Sequence, residues 1–225
     1  MPEWMKEASA PYRGRGFATF RAMEGEKMNN KQAFDTRQLV LLAMLTAIVA
    51  VLQFLGAFIK FGPFSISLVL MPIAVGAALL GAWAGAWLGL AFGFVVLLTG
   101  DANVFMAIDP LGTLVIVLVK GTAAGFFAGV AYRAIAKMHK TIAAIVAAAI
   151  CPVANTGFFV LGCYVFFLPT ITAWGEAAGF ANASAFLFLG MVGGNFIVEL
   201  ALNLILSPAI TRLIQYGQDR RAGTA

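Results

Sequence analysis

The sequence predicts an all-α integral membrane protein, a compact bundle of six transmembrane helices with the N and C termini cytoplasmic. Three observations predict it. Apolar residues make up 61% of the 225-residue chain and charged residues 11%, against roughly 25% charged in soluble domains, and the mean hydropathy is +0.91. The charges stand between apolar runs long enough to cross hydrocarbon as helices, about 20 residues each. Lys and Arg gather at one set of span ends, and that bias sets orientation because positive segments stay in the cytoplasm. A periodicity of two over long stretches is missing, which argues against a barrel.

The first 27 residues are polar, contain Pro and Gly, and lack the apolar core of a signal peptide. They are expected to be disordered, and the more compact lead MNNKQAFDTRQ suggests a natural start at Met28. The resulting division is a cytoplasmic disordered segment over 1–36, a six-helix transmembrane domain over 37–215 and a cytoplasmic tail over 216–225.

The first span runs from about Leu39 to Ile59 without a charge. Ala43, Ala47 and Ala50 give it a small-residue face, for which spacing alone leaves internal packing and docking of another membrane protein both open, packing being the simpler. Phe61 to Gly100 is forty residues without a charge, too long for one span, and divides near Gly81 into two helices joined by a tight turn. Gly81, Gly85, Gly89 and Gly93 recur at every fourth residue, and Gly121, Gly125 and Gly129 repeat the spacing. Such seams let helix backbones approach closely in lipid, where no hydrophobic force pulls helices together.

The fourth span is expected from Pro110 to Tyr132, with Asp109 before Pro110 as its N-cap. The fifth covers Thr141 to Leu168. Its Cys151 and Cys163 stand twelve apart on one helix, cannot bridge each other there, have no metal-ligand spacing, and read as small packing residues. The sixth runs from about Ala185 to Ile210.

Orientation follows from the cations. Lys6, Arg13, Arg15, Arg21, Lys27, Lys31 and Arg37 precede the first span, Arg133, Lys137 and Lys140 fill the turn between spans four and five, and Arg212, Arg220 and Arg221 lie in the tail. The opposite side carries Lys60 with Asp101, Asp109 and Glu176. This bias accounts for the net charge of +5, and nothing supports binding to nucleic acid.

An ionisable group at mid-bilayer costs at least about 2.5 kcal/mol on insertion scales, so it faces the bundle interior and has a partner. Lys120 lies roughly 15 Å below the start of its span at about 1.5 Å per residue. Asn155 is at similar depth on span five. Asn195, Glu199 and Asn203, spaced by four, share one face of span six. Two readings of this polar set stay open. In one, Lys120 and Glu199 form an ion pair whose hydrogen bonds are completed by Asn155 and Asn195. In the other, some of these groups contact a polar small molecule, Lys120 being available for an anionic moiety. Asn203, nearer the cytoplasmic end, serves packing before Ser207 and Pro208.

Catalytic signals are weak. The single histidine, His139, sits in the charged turn beside Lys137 and Lys140 and reads as a solvated loop residue. The chain holds no GxSxG, HExxH or P-loop and no Cys or His set suited to a metal. No catalytic residue, metal or cofactor is expected, and an enzyme is excluded as the reading.

The alanine-faced helix LVLLAMLTAIVAVLQ, the segment FGPFSISLVLMPIAVGAALLGAWAGAWLGLAFGFVV, then DPLGTLVIVLVKGTAAGFFAGVAYR and the polar NFIVELALNLILSP together resemble the substrate-binding S component of an energy-coupling factor (ECF) vitamin transporter. The likeness covers roughly Arg37 to Gln215, and its motifs are degenerate small-residue patterns. It implies that 37–215 binds a vitamin or related micronutrient in a cavity toward the outer side, covered by the loops after spans one, three and five. It implies as partners a membrane-embedded T component and two cytoplasmic ATPases in a bacterial plasma membrane, and a domain that topples to deliver its cargo inward. Ala43 and Ala47 match by position the AxxxA contact with the T component, which raises the docking reading of that face, with Ala50 beside them. The outer loops Phe58 to Ser65, Thr99 to Asp109 and Pro169 to Ser184 are suited to a mobile cover, with Phe61, Phe64, Asn103 and Trp174 as candidates to enclose ligand. A riboflavin-like substrate would want aromatic stacking and amides, a pantothenate-like one a cation such as Lys120. The alternatives from other classes are a structural scaffold of the cell envelope and an autonomous proton-coupled carrier using Glu199.

Overall fold

The computed structural model describes residues 36–57, 60–61, 64–65 and 68–222, without side chains for 60–65 and for several positions beyond Pro208. The disorder expected of the N-terminal segment, the start at Met28 and the side chains of Phe61 and Phe64 lie outside the described residues. The chain divides into two units, Met1–Leu39 and Val40–Ala225, and the contacts described below lie within the second.

Helix α1 (Thr36–Gly56) is followed by a short antiparallel pair, β1 (Lys60–Phe61) and β2 (Phe64–Ser65), with Lys60 opposite Ser65 and Phe61 opposite Phe64. Then come α2 (Leu70–Leu80), α3 (Ala82–Thr99), the single turn α4 (Asn103–Met106), α5 (Pro110–Ala136), α6 (Lys140–Phe166) and α7 (Leu168–Ala177). The last helix is entered through a turn at Ala183–Ala185 and a π-helical stretch, Phe186–Val192, and continues as α8 (Gly193–Ala222). Among the described residues five helices are long and apolar enough to cross a membrane: α1, α3, α5, α6 and the segment Ala183–Pro208. Their outward faces carry Trp83, Leu98, Leu111, Leu189 and Ile205, all more than two-thirds exposed, a surface suited to lipid and not to water. The protein is a multi-pass helical membrane protein.

The expected division at Gly81 is where the chain breaks. Gly81 has φ 100° and ψ 174°, a conformation that side chains with a Cβ rarely adopt, and the Arg133 guanidinium packs directly against it. The helix before the break is shorter than expected. Phe64–Ser65 belongs to β2, and α2 begins only at Leu70 and has 11 residues, which rise about 16 Å. The reason is visible in FSISL, where Phe64, Ile66 and Leu68 alternate with Ser65 and Ser67, the period of a strand. The segment expected as a loop from Pro169 to Ser184 instead holds α7, which carries Pro169 in its first turn, where a missing N–H costs nothing.

Asp109 caps α5 as expected: one carboxylate oxygen accepts from Leu111 N at 3.1 Å and Gly112 N at 3.0 Å. His139 is the exposed residue that precedes α6. Cys151 and Cys163 are both free thiols and buried.

Helices α3 and α5 meet along the glycine seam. A Cβ on Gly85 would strike Gly125 O, one on Gly89 would strike Gly121 O, and one on Gly93 would lie 2.9 Å from Val117 O. The descending register shows that the helices run antiparallel, and the obstruction is reciprocal, since Cβ atoms on Gly121 and Gly125 would strike Gly89 O and Gly85 O. Backbone therefore lies on backbone, with the dispersion contacts of the whole seam replacing side-chain interdigitation. Around it a first core joins Leu45 and Val49 of α1, Ile73 of α2, Leu88 and Phe92 of α3 and Ala144 and Ala148 of α6. A second core, Phe105, Ile116, Val160, Phe167, Ile171 and Leu187, packs where α4, α7 and the π-helical stretch meet α5 and α6.

This geometry predicts that Gly89→Val drives α3 off α5, lowering stability by at least about 1–3 kcal/mol as overpacking does. Gly157→Ala, whose Cβ meets nothing within 4 Å, should be neutral or stabilising. Thermal unfolding in detergent, followed by size-exclusion chromatography, distinguishes the two.

Candidate functional site

A cavity opens inside the bundle between α1, α3, α5, α6 and α8, beneath α4. Its wall includes Gln53, Phe92, Asp101, Phe105, Thr113, Lys120, Asn155, Thr156, Phe159, Phe167, Asn195 and Glu199. Open space at its mouth included, the hollow is ≈ 790 Å³.

Each polar group arrives for a local reason. Capped by Asp109, α5 starts at Pro110 and carries Lys120 ten residues beyond it, about 15 Å along the axis. The Lys120 ammonium lies 5.1 Å from the Phe159 ring centroid, within cation–π range, and 5.9 Å from that of Phe92, at its limit. On α6, Pro152 removes one helical N–H inside the span, and Asn155 follows within one turn. Asn155 is buried at 6% exposure, and its Oδ1 has no hydrogen-bond partner.

The π-helical stretch adds a residue to its turn, as π-helices do beside functional sites, and delivers Asn195 and Glu199 to the cavity wall. Asn195 Nδ2 donates to Glu199 Oε1 at 3.2 Å, while Asn195 Oδ1 is buried without a partner. Asn203 Nδ2 donates to Glu199 O at 2.9 Å, one turn further from the cavity. Asn203 continues, with Ser207 and Thr211, a line of buried polar residues at four-residue steps down α8. Thr211 Oγ donates to Ser207 O at 2.8 Å.

Lys120, Asn155, Asn195 and Glu199, named from the sequence, share one cavity wall. Asn103 and Trp174 do not line it. The single turn of α4 buries Phe105 against the cavity and leaves Asn103, two residues away, exposed. Trp174 of α7 packs behind Phe105, ring centroids 5.8 Å apart. Phe105 also meets Phe167 at 5.0 Å and Phe159 at 5.7 Å, edge to face, so four aromatic rings close the α4 end of the site.

The sequence placed Asp101 only among the outer charges and did not single out Gln53. Gln53, 2% exposed near the end of α1, donates from Nε2 to Asp101 Oδ2 at 2.8 Å, tying α1 to the α3–α4 corner at the cavity mouth. One signal was available: Gln53 is the only amide within the apolar run of α1. Among the described residues no cluster of His, Cys, Asp and Glu suits a metal ion.

Hydrogen bonds to charged groups contribute about 1.5–3 kcal/mol. Gln53→Glu, which replaces this donor by a second carboxylate, should lower stability by at least that amount. Gln53→Met should cost less, because it adds no like charge. Paired thermal melts at low and high salt test this, the Gln53→Glu deficit persisting at high salt because a buried pair is screened little.

A comparison with curated proteins finds no match. Among solved structures, the chain is similar to ThiT from Listeria monocytogenes, with a TM-score of 0.56 and 24% identity over 79% of this chain and 96% of that one, a likeness of fold. The family model for the ECF transporter substrate-specific component matches residues 37–211, which take in every helix that lines the cavity. Its members bind a transporter's substrate and are not enzymes, and the chain belongs to this family of ECF transporter substrate-specific components.

Proposed function

We propose that the cavity is the substrate site, and that the protein binds a vitamin or related micronutrient, riboflavin-like or pantothenate-like, at the outer side of a bacterial plasma membrane and delivers it inward. The observation that carries this reading is the meeting of Lys120, Asn155, Asn195 and Glu199, from three apolar helices, in the wall of one cavity. Ionisable and amide side chains inside a membrane bundle mark substrate sites and pathways, and these four stand around a cavity that opens to one side.

Six helices cross the bilayer in this proposal, α2 completing the set with its hairpin, and both termini are cytoplasmic. The Arg133, Lys137 and Lys140 cluster supports that orientation. The cavity then opens outward beneath α4 and α7, which serve as its cover. Residues 37–215 form the binding domain, flanked by cytoplasmic segments.

The partners are a membrane-embedded T component and two cytoplasmic ATPase subunits. Ala43 and Ala47 lie exposed on α1, with Ala50 half-buried beside them, so this small-residue face is open to a second helix at close range. Co-expression with a T component and ATPases should give a complex that Ala43→Trp and Ala47→Trp reduce more than tenfold in affinity pull-down, while vitamin affinity of the isolated protein stays within twofold. Assembly that survives both substitutions would move the docking surface elsewhere. Uptake in vesicles that needs no ATP would contradict the energised reading.

A further inference from the structure

We infer that the end of the bundle formed by the α2–α3 and α5–α6 turns binds an anionic phospholipid, with Arg133 and Lys137 on its phosphate and an apolar stripe of α5 and α3 beside its acyl chains. This site is separate from the cavity and does not depend on the reading given to it.

Helical spacing sets the stripe. Phe126, Val130, Arg133 and Lys137 follow one another along α5 at steps of four, three and four, which keeps them on one face. That face leans on α3. Trp83 meets Phe126 edge to face with ring centroids 5.4 Å apart, and the Arg133 guanidinium packs on the Gly81 turn. Trp87 stands one turn beyond Trp83 on α3. Trp83, Trp87, Val130, Arg133 and Lys137 are all exposed, so apolar and cationic groups form one continuous surface at the α3–α5 edge.

Depth sorts the stripe into two parts. With 27 residues, α5 is about 40 Å long, more than the roughly 30 Å of hydrocarbon, so its final turns reach the headgroup layer. Phe126 and Val130 then border acyl chains. Arg133 and Lys137, about 10 Å and 16 Å beyond Phe126 along the axis, stand at the level of the phosphates, and an exposed Trp beside them is the usual anchor at that level.

Charge selects the headgroup. Lys140 opens α6 and His139 precedes it, both exposed, so the turn adds a third cation. Among the described side chains the carboxylates lie elsewhere. Asp101 and Asp109 stand at the opposite ends of α3 and α5, Glu176 is on α7 past the far end of α6, and Glu199 lines the cavity. Clustered cations at a membrane surface attract anionic lipid, and the guanidinium fork matches phosphate oxygens. An acidic protein segment would answer the charge alone. A phospholipid answers the charge and covers the stripe.

The test is native mass spectrometry of the purified full-length protein in detergent, titrated with phosphatidylglycerol and with phosphatidylcholine of the same acyl chains. One phosphatidylglycerol should be retained at least fivefold more than phosphatidylcholine at equal concentration. Arg133→Gln with Lys137→Gln should remove that preference, while Arg37→Gln with Arg220→Gln, the same loss of charge elsewhere, should keep it. Trp83→Leu should lower retention of both lipids. Free glycerol phosphate in large excess should not displace the lipid, since it has no chains to lay on the stripe. Should the first pair fail to fold, Lys137→Gln alone, at an exposed helix end, should at least halve the preference. Equal retention of the two lipids, an equal loss from the control pair, or displacement by glycerol phosphate overturns the inference. So does a first pair that keeps its lipid and loses assembly with a T component, which would make this end a protein contact.

Discussion

Inside hydrocarbon, a polar side chain has no water to fall back on, so each must find partners within the bundle or within a cavity that the bundle encloses. This constraint organises the structure. Lys120, Asn155, Asn195 and Glu199 come from α5, α6 and α8, and all four converge on one hollow. Asn203, Ser207 and Thr211 continue the polar line of α8 below it, buried against protein. The faces turned the other way are Trp, Leu and Ile. The same requirement explains the aromatic closure at α4, where Phe105 and its neighbours cover the polar wall from the mouth side.

A cavity of this kind needs one rigid side. The glycine seam supplies it: α3 and α5 lie backbone to backbone, with no side chains between them to repack. Lys120 and Phe92 project from these two clamped helices into the cavity, so their separation is set by the seam. The opposite side is built differently. It consists of α6, interrupted by Pro152, and the last helix, entered through a π-helical stretch. Irregular helix there frees backbone groups and redirects side chains at some cost in regularity, and Asn155, Asn195 and Glu199 all follow such an interruption. The cavity therefore pairs a stiff wall carrying a cation with a less regular wall carrying two amides and a carboxylate.

Much of this was legible in the residues, because single side chains dictated it. A glycine in the middle of forty uncharged residues marked the break at Gly81, an Asp-Pro step marked the start of α5, and isolated polar residues in apolar spans marked the site. What escaped was set by context. The hairpin after α1 hides in a short alternation of Phe, Ile and Leu with Ser that an apolar-length criterion passes over. The π-helical stretch at Phe186–Val192, which buries Leu187 and Met191 in the second core, leaves no composition signal. Gln53 and Asp101 lie 48 residues apart, and only the fold brings them together. Asn103 and Phe105 share one turn of helix, and which of them faces the cavity is decided by packing against α6 and α7.

The central claim is that the polar wall is completed by a ligand and not by itself. Native mass spectrometry of the protein, released gently from the membrane of cells grown in rich medium, addresses it most directly. The account predicts a population carrying one small molecule of vitamin mass, lost on activation in the gas phase. A protein that is reproducibly empty, and whose unfolding temperature is unchanged by dialysis against vitamin-rich extract, would contradict it. The polar groups would then be a structural network with its own internal partners.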